Sequence, residues 1–176
     1  MSDGDFSFRK LGAESLGEVS DMLGEAASLM PDPTMLRVSS RETLAACLAE
    51  PHLTLGAFSG GSLAAFAILY FGGSSGESLA RHAGETEEQL GRTANIKLVV
   101  VRPQWRGLGL QRELTRQLER EAAGRGIERL YASVSSLNTR SADNFARLGY
   151  EKCVTGLSLY GGLARDIYRK TIGAEN

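Results

Sequence analysis

The stretch that decides the fold is Lys97-Leu-Val-Val-Val-Arg-Pro-Gln-Trp-Arg-Gly-Leu-Gly-Leu-Gln-Arg-Glu-Leu114. Residues Leu98 to Val101 are apolar and mostly β-branched, which is typical of a strand that is buried on both faces. A proline ends this run. After a turn with two glycines, leucines recur every four residues at Leu110, Leu114 and Leu118, the spacing of a helix with one apolar stripe. The stretch therefore predicts a strand, a Gly-rich turn and a helix.

The turn between this strand and this helix predicts an anion site. The first backbone N–H groups of a helix have no partner within it and point outward at the positive end of the helix dipole. Gly107 and Gly109 lack a Cβ, so an oxygen atom can approach the backbone closely, while Arg106 and Arg112 add full positive charges. We expect the ligand to be a phosphate compound.

Two common phosphate motifs do not fit the turn. A P-loop needs a lysine after its second glycine, and a dinucleotide fingerprint needs a third glycine where Arg112 stands. The residues instead resemble the acyl-CoA pyrophosphate loop of the GNAT superfamily of N-acyltransferases, with the pattern Val-x-Pro-x-aromatic-Arg-Gly-x-Gly-x-Gly/Ala. The matching residues are Val101, Pro103, Trp105, Arg106, Gly107 and Gly109, with Gln111 in place of the last small residue. The alternative is a glycine-bearing turn that binds no ligand.

A second stretch, Asn138-Thr-Arg-Ser-Ala-Asp-Asn-Phe-Ala-Arg-Leu-Gly-Tyr150, resembles the other GNAT landmark, Asn-x-x-Ala/Ser-x-x-hydrophobic-Tyr-x-x-x-Gly-Phe. The Asn138 amide could cap the helix that follows and also bond a pantetheine amide, and Asn144 and Phe145 could flank the tail of the cofactor. The alternative is an ordinary helix start and stop with Phe145 in the core. Both motifs occur in the order that the superfamily requires.

The resemblance implies an N-acetyltransferase that moves an acetyl group from acetyl-CoA to a primary amine by direct attack in a ternary complex. It also implies a bulge in the strand that ends at Val101 and pantetheine in the gap beside that strand. The residues implied to bind the co-substrate are Val99, Val100, Val101, Arg106, Gly107, Leu108, Gly109, Leu110, Gln111, Arg112, Asn138, Asn144 and Phe145.

Two positions depart from the family pattern. Phe145 stands where a thiol-protonating tyrosine is usual, and Lys97 stands where many members carry a glutamate. The sequence therefore assigns no catalytic residue, although other groups could carry protons, namely Tyr160, Tyr131, Glu77 and His82. Two alternatives stay open: a catalytically degenerate acyl-CoA-binding sensor or interaction module, and a binder of another phosphate compound.

The whole chain predicts one domain, residues 1–176, since 42% hydrophobic and 23% charged residues are ordinary for a soluble globular protein. We expect a cytoplasmic protein without membrane, nucleic-acid or metal sites, a small-molecule or peptide amine as partner, and a possible homodimer. Cys47 and Cys153 lie in apolar surroundings and are predicted to be buried. Residues 1–100 carry 7 Lys/Arg against 13 Asp/Glu, and the acidic first helices slightly favour a cationic acceptor such as a polyamine or aminoglycoside over a protein terminus.

The predicted fold class is α/β (α+β), a GNAT-type mixed, mostly antiparallel central sheet of about seven strands covered by four helices. The periodicities give the order β, α, α, β, β, β, α, β, α, β, β. Residues 72–92 are polar and glycine-rich and predict a long loop, either a functional lid or disordered, in which Glu85 to Leu90 could form a helical turn.

Overall fold

The computed structural model describes residues 5–173, in which seven strands and five α-helices follow the predicted order. The strands are β1 (Ser7–Leu11), β2 (Leu53–Ser59), β3 (Ser62–Tyr70), β4 (Thr93–Val101), β5 (Arg129–Val134), β6 (Glu151–Leu159) and β7 (Leu163–Thr171). The helices are α1 (Leu16–Ser28), α2 (Arg41–Cys47), α3 (Glu87–Leu90), α4 (Leu110–Gly124) and α5 (Thr139–Arg147). The fifth helix, α3, is the helical turn predicted within the long loop.

All seven strands form one sheet in the order β1-β2-β3-β4-β5-β7-β6. Only β4 and β5 pair in parallel, while the other neighbours are antiparallel. The prediction of a mixed, mostly antiparallel seven-stranded sheet is therefore confirmed. The parallel pairing is short, running from Thr93 opposite Arg129 to Ile96 opposite Ala132. Beyond that point β4 and β5 separate.

A β-bulge lies where this separation begins. Ile68 of β3 pairs with Leu98 of β4, but the next residue, Leu69, pairs with Ile96, so Lys97 is an extra residue without a partner in β3. A bulge bends its strand and increases the local twist. The bulge that the resemblance implies is therefore present, and it directs the rest of β4 away from β5.

Helices cover both faces of the sheet because each has one apolar stripe. On one face, α1 contributes Met22 and Leu23 to a core with Phe66 of β3. On the other face, the leucine stripe of α4 is buried as its spacing predicts, and it packs with Leu130 and Phe145. Each face of the sheet therefore has its own apolar core.

The segment between β3 and β4 packs against the sheet. A 3₁₀-helix, Leu79–Ala83, precedes α3, and Leu79 and Leu90 are buried against Tyr131 and Ile167. The prediction of a lid or a disordered loop is therefore wrong for residues 79–90. A few widely spaced apolar side chains anchor the segment, although its overall composition is polar.

The two cysteines differ in their surroundings. Cys47 is buried, as predicted, but Cys153 is exposed, because β6 is an edge strand whose outer face is open to solvent. Within residues 5–173, no helix has both the length and the apolar character needed to cross a membrane. The same residues contain no cluster of three or more His, Cys, Asp or Glu side chains suited to hold a metal ion.

Candidate active site

A cleft opens where β4 and β5 separate, and it has two parts. The larger part, here called the groove, has a volume of about 590 Å³ and lies between β4, the turn after it, and α5. The smaller part, here called the inner cavity, has a volume of about 80 Å³ and lies between β4, β5 and the turn that joins β6 to β7. Met35, Leu36, Val99, Asn138 and Ser141 line both parts, so the groove and the inner cavity are continuous.

The structure brings most of the predicted co-substrate residues together in this cleft. Phe145 lines the inner cavity, whereas Leu108 lines neither part and points outward, 52% exposed. The remaining predicted residues line the groove: Val99, Val100, Val101, Arg106, Gly107, Gly109, Leu110, Gln111, Arg112, Asn138 and Asn144.

The turn before α4 presents a row of free backbone donors. Gly107 and Gly109 have φ angles of 83° and 80°, the left-handed conformation that glycine adopts without steric cost. Within the described part of the chain, no group accepts a hydrogen bond from the backbone N–H of residues 107–112. These donors lie at the start of a 15-residue helix, where the dipole is positive.

Four arginines line the groove: Arg106, Arg112, Arg140 and Arg147. Among residues 5–173, no carboxylate lines it and none forms an ion pair with any of the four arginines. Sequence reasoning missed Arg140 and Arg147. Their seven-residue spacing puts them on one face of α5, two turns apart, and this spacing could have indicated that they lie on the same side of the helix. The groove therefore combines full positive charge with free backbone donors.

Gln111, which replaces the last small residue of the turn motif, links α4 to α5. Its Oε1 accepts a hydrogen bond of 3.0 Å from Asn144 Nδ2, and its Nε2 lies 3.4 Å from Ser141 Oγ. Asn138 caps α5, because its Oδ1 accepts a bond of 3.2 Å from the Ser141 N–H. The departure from the motif therefore supplies a polar contact between the two helices that border the groove.

The outer part of β4 has free backbone groups facing the cleft. Arg102 N–H donates to the carbonyl of Ala64 on the β3 side, and strand alternation therefore turns the N–H groups of Val99 and Val101 to the opposite side. The pairing with β5 ends at Ile96. These two N–H groups therefore point into the opening.

The sequence pattern of the Acetyltransferase (GNAT) family matches residues 24–150, more than half of the chain. The chain belongs to the GNAT acetyltransferase family. Its fold is similar to several solved GNAT structures. The ribosomal-protein alanine N-acetyltransferase from Escherichia coli is 19% identical, with a TM-score of 0.71 over 97% of this chain and 96% of that one.

Two other GNAT structures were solved with ligands. The yncA protein of Salmonella typhimurium, with its cofactor acetyl-CoA, is 16% identical with a TM-score of 0.72, over 98% of this chain and 96% of that one. The paia N-acetyltransferase from Thermoplasma acidophilum, in complex with coenzyme A, is 16% identical with a TM-score of 0.68, over 95% and 99%. At this identity the likeness shows the fold. No curated protein matches the chain significantly.

The inner cavity of this GNAT domain contains one of the four proposed proton carriers. Tyr160 lines it, with its hydroxyl 3.1 Å from Ser133 Oγ. Its φ of 52° is the only positive value for a non-glycine residue in the described part of the chain. The guanidinium of Arg37 lies 3.8 Å from the centre of the Tyr160 ring. This left-handed backbone belongs to the turn between β6 and β7, and the side-chain contacts fix the Tyr160 ring at the cavity.

Glu77 lies beside the GNAT cleft without lining it. Its Oε2 is 3.0 Å from Lys97 Nζ and 3.4 Å from Arg37 Nη1. Burial raises the pKa of Glu77, but the hydrogen bond and charge of Lys97, together with Arg37, outweigh burial and leave the pKa below its ordinary value. The carboxylate is therefore ionised and engaged.

The two remaining candidates lie away from the cleft. Tyr131 is buried, and its hydroxyl bonds Glu85; burial and this carboxylate raise its pKa. His82 is exposed on the 3₁₀-helix before α3. Phe145, at the usual tyrosine position, packs against Tyr150 with ring centroids 5.0 Å apart and has no proton to donate. Tyr160 is therefore the one candidate with a hydroxyl in the described lining of the inner cavity.

Proposed function

We propose that this GNAT protein transfers an acetyl group from acetyl-CoA to a primary amine by direct attack in a ternary complex. The observation that carries the proposal is the groove itself. Among the described residues, its four arginines have no carboxylate partner and its turn has free N–H groups, and the groove leads into the inner cavity at the β4–β5 split. Such a groove suits a ligand with several phosphates at one end and a reactive group at the other.

The lining residues suggest how the co-substrate is held. The N–H groups of residues 107–112, with Arg106 and Arg112, would bind the pyrophosphate, and Arg140 and Arg147 would bind the remaining phosphate. The N–H groups of Val99 and Val101 face the opening and would bind the pantetheine chain and the thioester oxygen. The acetyl-CoA and coenzyme A named for two structural relatives support this ligand.

The proposed chemistry needs no covalent enzyme intermediate. The amine nitrogen attacks the thioester carbon, the carbon–sulfur bond breaks, the amine loses a proton, and the departing thiolate gains one. Backbone N–H groups at the opening would stabilise the negative charge on the oxygen during attack. Holding both reactants in one continuous cleft lowers the entropic part of the barrier.

Tyr160 is our proposed proton donor to the thiolate. It lines the inner cavity, and its hydroxyl lies within hydrogen-bond distance of Ser133 Oγ. No carboxylate or histidine lines the inner cavity in residues 5–173, so we propose that the amine enters as its free base and loses its proton to water. The residues at the usual GNAT positions, Phe145 and Lys97, take no part in these proton transfers.

Thermal unfolding with acetyl-CoA, CoA and AMP tests the proposal. A ligand that binds only the folded state adds about 2.7 kcal/mol of stability at 100 times its dissociation constant. We expect acetyl-CoA and CoA to raise the melting temperature of the wild type and of Arg116→Glu, but not of Arg106→Glu. Arg116 is the matched control, because it is exposed on α4 and does not line the groove.

A screen of amines, with detection of released CoA thiol, completes the test. Release of CoA thiol from acetyl-CoA that requires an added amine would support the acetyltransferase. Acetyl-CoA binding without turnover of any amine would favour the sensor or interaction module. Stabilisation by AMP but not by CoA would favour a different phosphate compound, and no response to any of the three would contradict the proposal.

A further inference from the structure

The charged side chains that line the inner cavity are all cationic. They are Arg37, from the segment between α1 and α2, Lys97, from the bulge of β4, and Arg165, from β7. No carboxylate lines this cavity in the part of the chain that the structure describes. The place where an acceptor would meet the thioester is therefore positively charged, which gives no support to a polyamine or aminoglycoside acceptor.

One nearby carboxylate neutralises only part of this charge. Glu77 pairs with both Lys97, at 3.0 Å, and Arg37, at 3.4 Å. Arg37 also lies over the ring of Tyr160. Three cations and one carboxylate leave two positive charges at the cavity, and no other described ion pair involves Arg37, Lys97 or Arg165.

Arg165 is buried without an anionic partner. The residue is 3% exposed, and its guanidinium donates to two backbone carbonyls, those of Ala164 at 3.0 Å and Thr34 at 2.6 Å. No carboxylate of a described residue lies within 4.0 Å of it; the adjacent Asp166 instead pairs with Lys152 at 2.9 Å. Removing an unpaired cation from water is costly, and two carbonyls use only two of its five N–H donors.

The surroundings of Arg165 add two observations. Burial lowers the pKa of Arg165, and the charge of Arg37 lowers it further, against an opposing effect of Tyr160. Ser39 lines the same cavity, is 7% exposed, and its hydroxyl has no described hydrogen-bond partner. A buried cation and a buried free hydroxyl therefore face one small cavity.

We propose that the acceptor is a small amine that also carries a carboxylate, such as an α-amino acid, and that Arg165 binds this carboxylate. The inference rests on the proposed acetyl transfer and names its substrate class. The planar guanidinium matches a carboxylate with two parallel hydrogen bonds, and the Ser39 hydroxyl and the Arg37 charge add to the binding. A polyamine would bring further positive charge to a cavity that already has an excess.

A substrate panel tests this inference through matched compounds. The panel contains the standard L-amino acids, their α-amides and their decarboxylated amines, and it includes spermidine as a polycation. The rate of CoA thiol release gives kcat/KM for each compound. We expect at least one amino acid to exceed, in kcat/KM, both of its analogues that lack the carboxylate by about 100-fold, as for a buried charge pair. Turnover of an amide, a decarboxylated amine or spermidine at least as fast as every amino acid would overturn the inference.

Variants at Arg165 separate recognition from folding. We expect Arg165→Gln to lower kcat/KM for the amino acid by about 100-fold without changing the rate with its amide, and Arg165→Lys to recover part of the loss. Arg41→Gln, at an exposed position on α2 outside the cleft, is the control and should behave as wild type. Retained stabilisation by acetyl-CoA verifies folding. An equal loss with acid and amide would show a purely structural role and overturn the inference.

The failure of the proposed function is distinguishable from the failure of this inference. No stabilisation by acetyl-CoA contradicts the proposed function alone. If acetyl-CoA binds but no amine is acetylated, the inference is tested by binding of the amino acid. Amino acids, but not their amides, should then raise the melting temperature of the CoA-bound protein. Equal effects of acid and amide, or no effect of either, would overturn the inference.

Discussion

Lys97 Nζ lies 3.0 Å from Glu77 Oε2, so an ion pair joins the bulge of β4 to the segment that precedes α3. The family resemblance places a glutamate at position 97. Here the position carries the opposite charge, and the carboxylate comes from a different part of the chain. The chain therefore keeps a carboxylate close to the cleft, but this carboxylate is held between two cations. It fixes their positions and neutralises part of their charge.

Replacement of Glu77 by glutamine should make stability less dependent on pH. The folded pKa of Glu77 lies below its ordinary value of 4.5, so its contribution to stability is present above that pH and is lost as the pH falls through the folded pKa. Because the side chain is 43% exposed, we expect Glu77→Gln to cost about 0.5 to 1 kcal/mol at neutral pH.

Denaturant unfolding across the acidic range measures this difference. The gap between wild type and Glu77→Gln should shrink as the pH falls below 4.5. Glu121→Gln is the matched control, since Glu121 is exposed on α4 and forms no ion pair with a described residue. A gap that persists unchanged in acid would show that the Lys97 pair does not stabilise the fold.

Alanine at the two glycines of the turn should weaken both stability and co-substrate binding. No atom outside the neighbouring residues lies within 4 Å of a Cβ added at Gly107, and only the end of the Arg112 side chain does so at Gly109. The cost therefore comes from the left-handed backbone, about 1 to 2 kcal/mol for each substitution. Gly124→Ala, at the end of α4 where φ is not positive, should instead add about 0.5 to 1 kcal/mol. Equal effects at all three positions would contradict this account.

The contact between Gln111 and Asn144 should stabilise the pairing of α4 with α5. We expect Gln111→Ala to lower the free energy of unfolding by about 1 kcal/mol through the loss of its hydrogen bonds. A double-mutant cycle with Asn144→Ala isolates the pair, and its coupling energy should be at least about 0.5 kcal/mol. Additive effects would show that the two side chains act independently.

Tyr160→Phe should impair turnover and leave binding intact. The substitution removes the hydroxyl but keeps the ring beneath Arg37, so we expect kcat to fall by about 100-fold with little change in KM. Stabilisation by acetyl-CoA should be the same as in the wild type. An unchanged kcat would mean that solvent protonates the departing thiolate.

Cys153 should be the more reactive of the two thiols, although its reaction is slow. Burial raises the pKa of both thiols, but only Cys47 is buried within the core, whereas Cys153 lies on the edge strand. We expect one thiol per chain to react with a thiol reagent in the folded protein, more slowly than a free thiol, and the second only after unfolding. Cys153→Ser should abolish the first reaction. Rapid labelling of both thiols would contradict the assignment.

Local sequence patterns were sufficient to predict the elements and the turn of the site. The β-branched run of β4 and the leucine spacing of α4 reflect short-range periodicity, and the glycines between them indicate the left-handed turn. The packing of residues 79–90 was not predictable in this way, because its apolar anchors are too sparse to form a periodic pattern.

The inner cavity of the cleft depends on contacts between distant parts of the chain. Arg165 reaches the carbonyl of Thr34, 131 residues earlier, and the cavity combines residues of β4, β5, β7 and the segment between α1 and α2. No pattern within β7 distinguishes a buried arginine from a surface one. The overall excess of acidic residues in the first half describes that half as a whole and not the lining of one cavity.

Although β4 is a central strand, it separates from β5. Some of its backbone amides should therefore exchange hydrogen with solvent as those of an edge strand do. The amides of Val99 and Val101 face the opening, although β4 has neighbours on both sides. Their protons are therefore expected to exchange with deuterated solvent far faster than those of Thr93 to Ile96 in the same strand. A ligand that fills the gap would slow this exchange, so these two amides report occupancy from within the sheet.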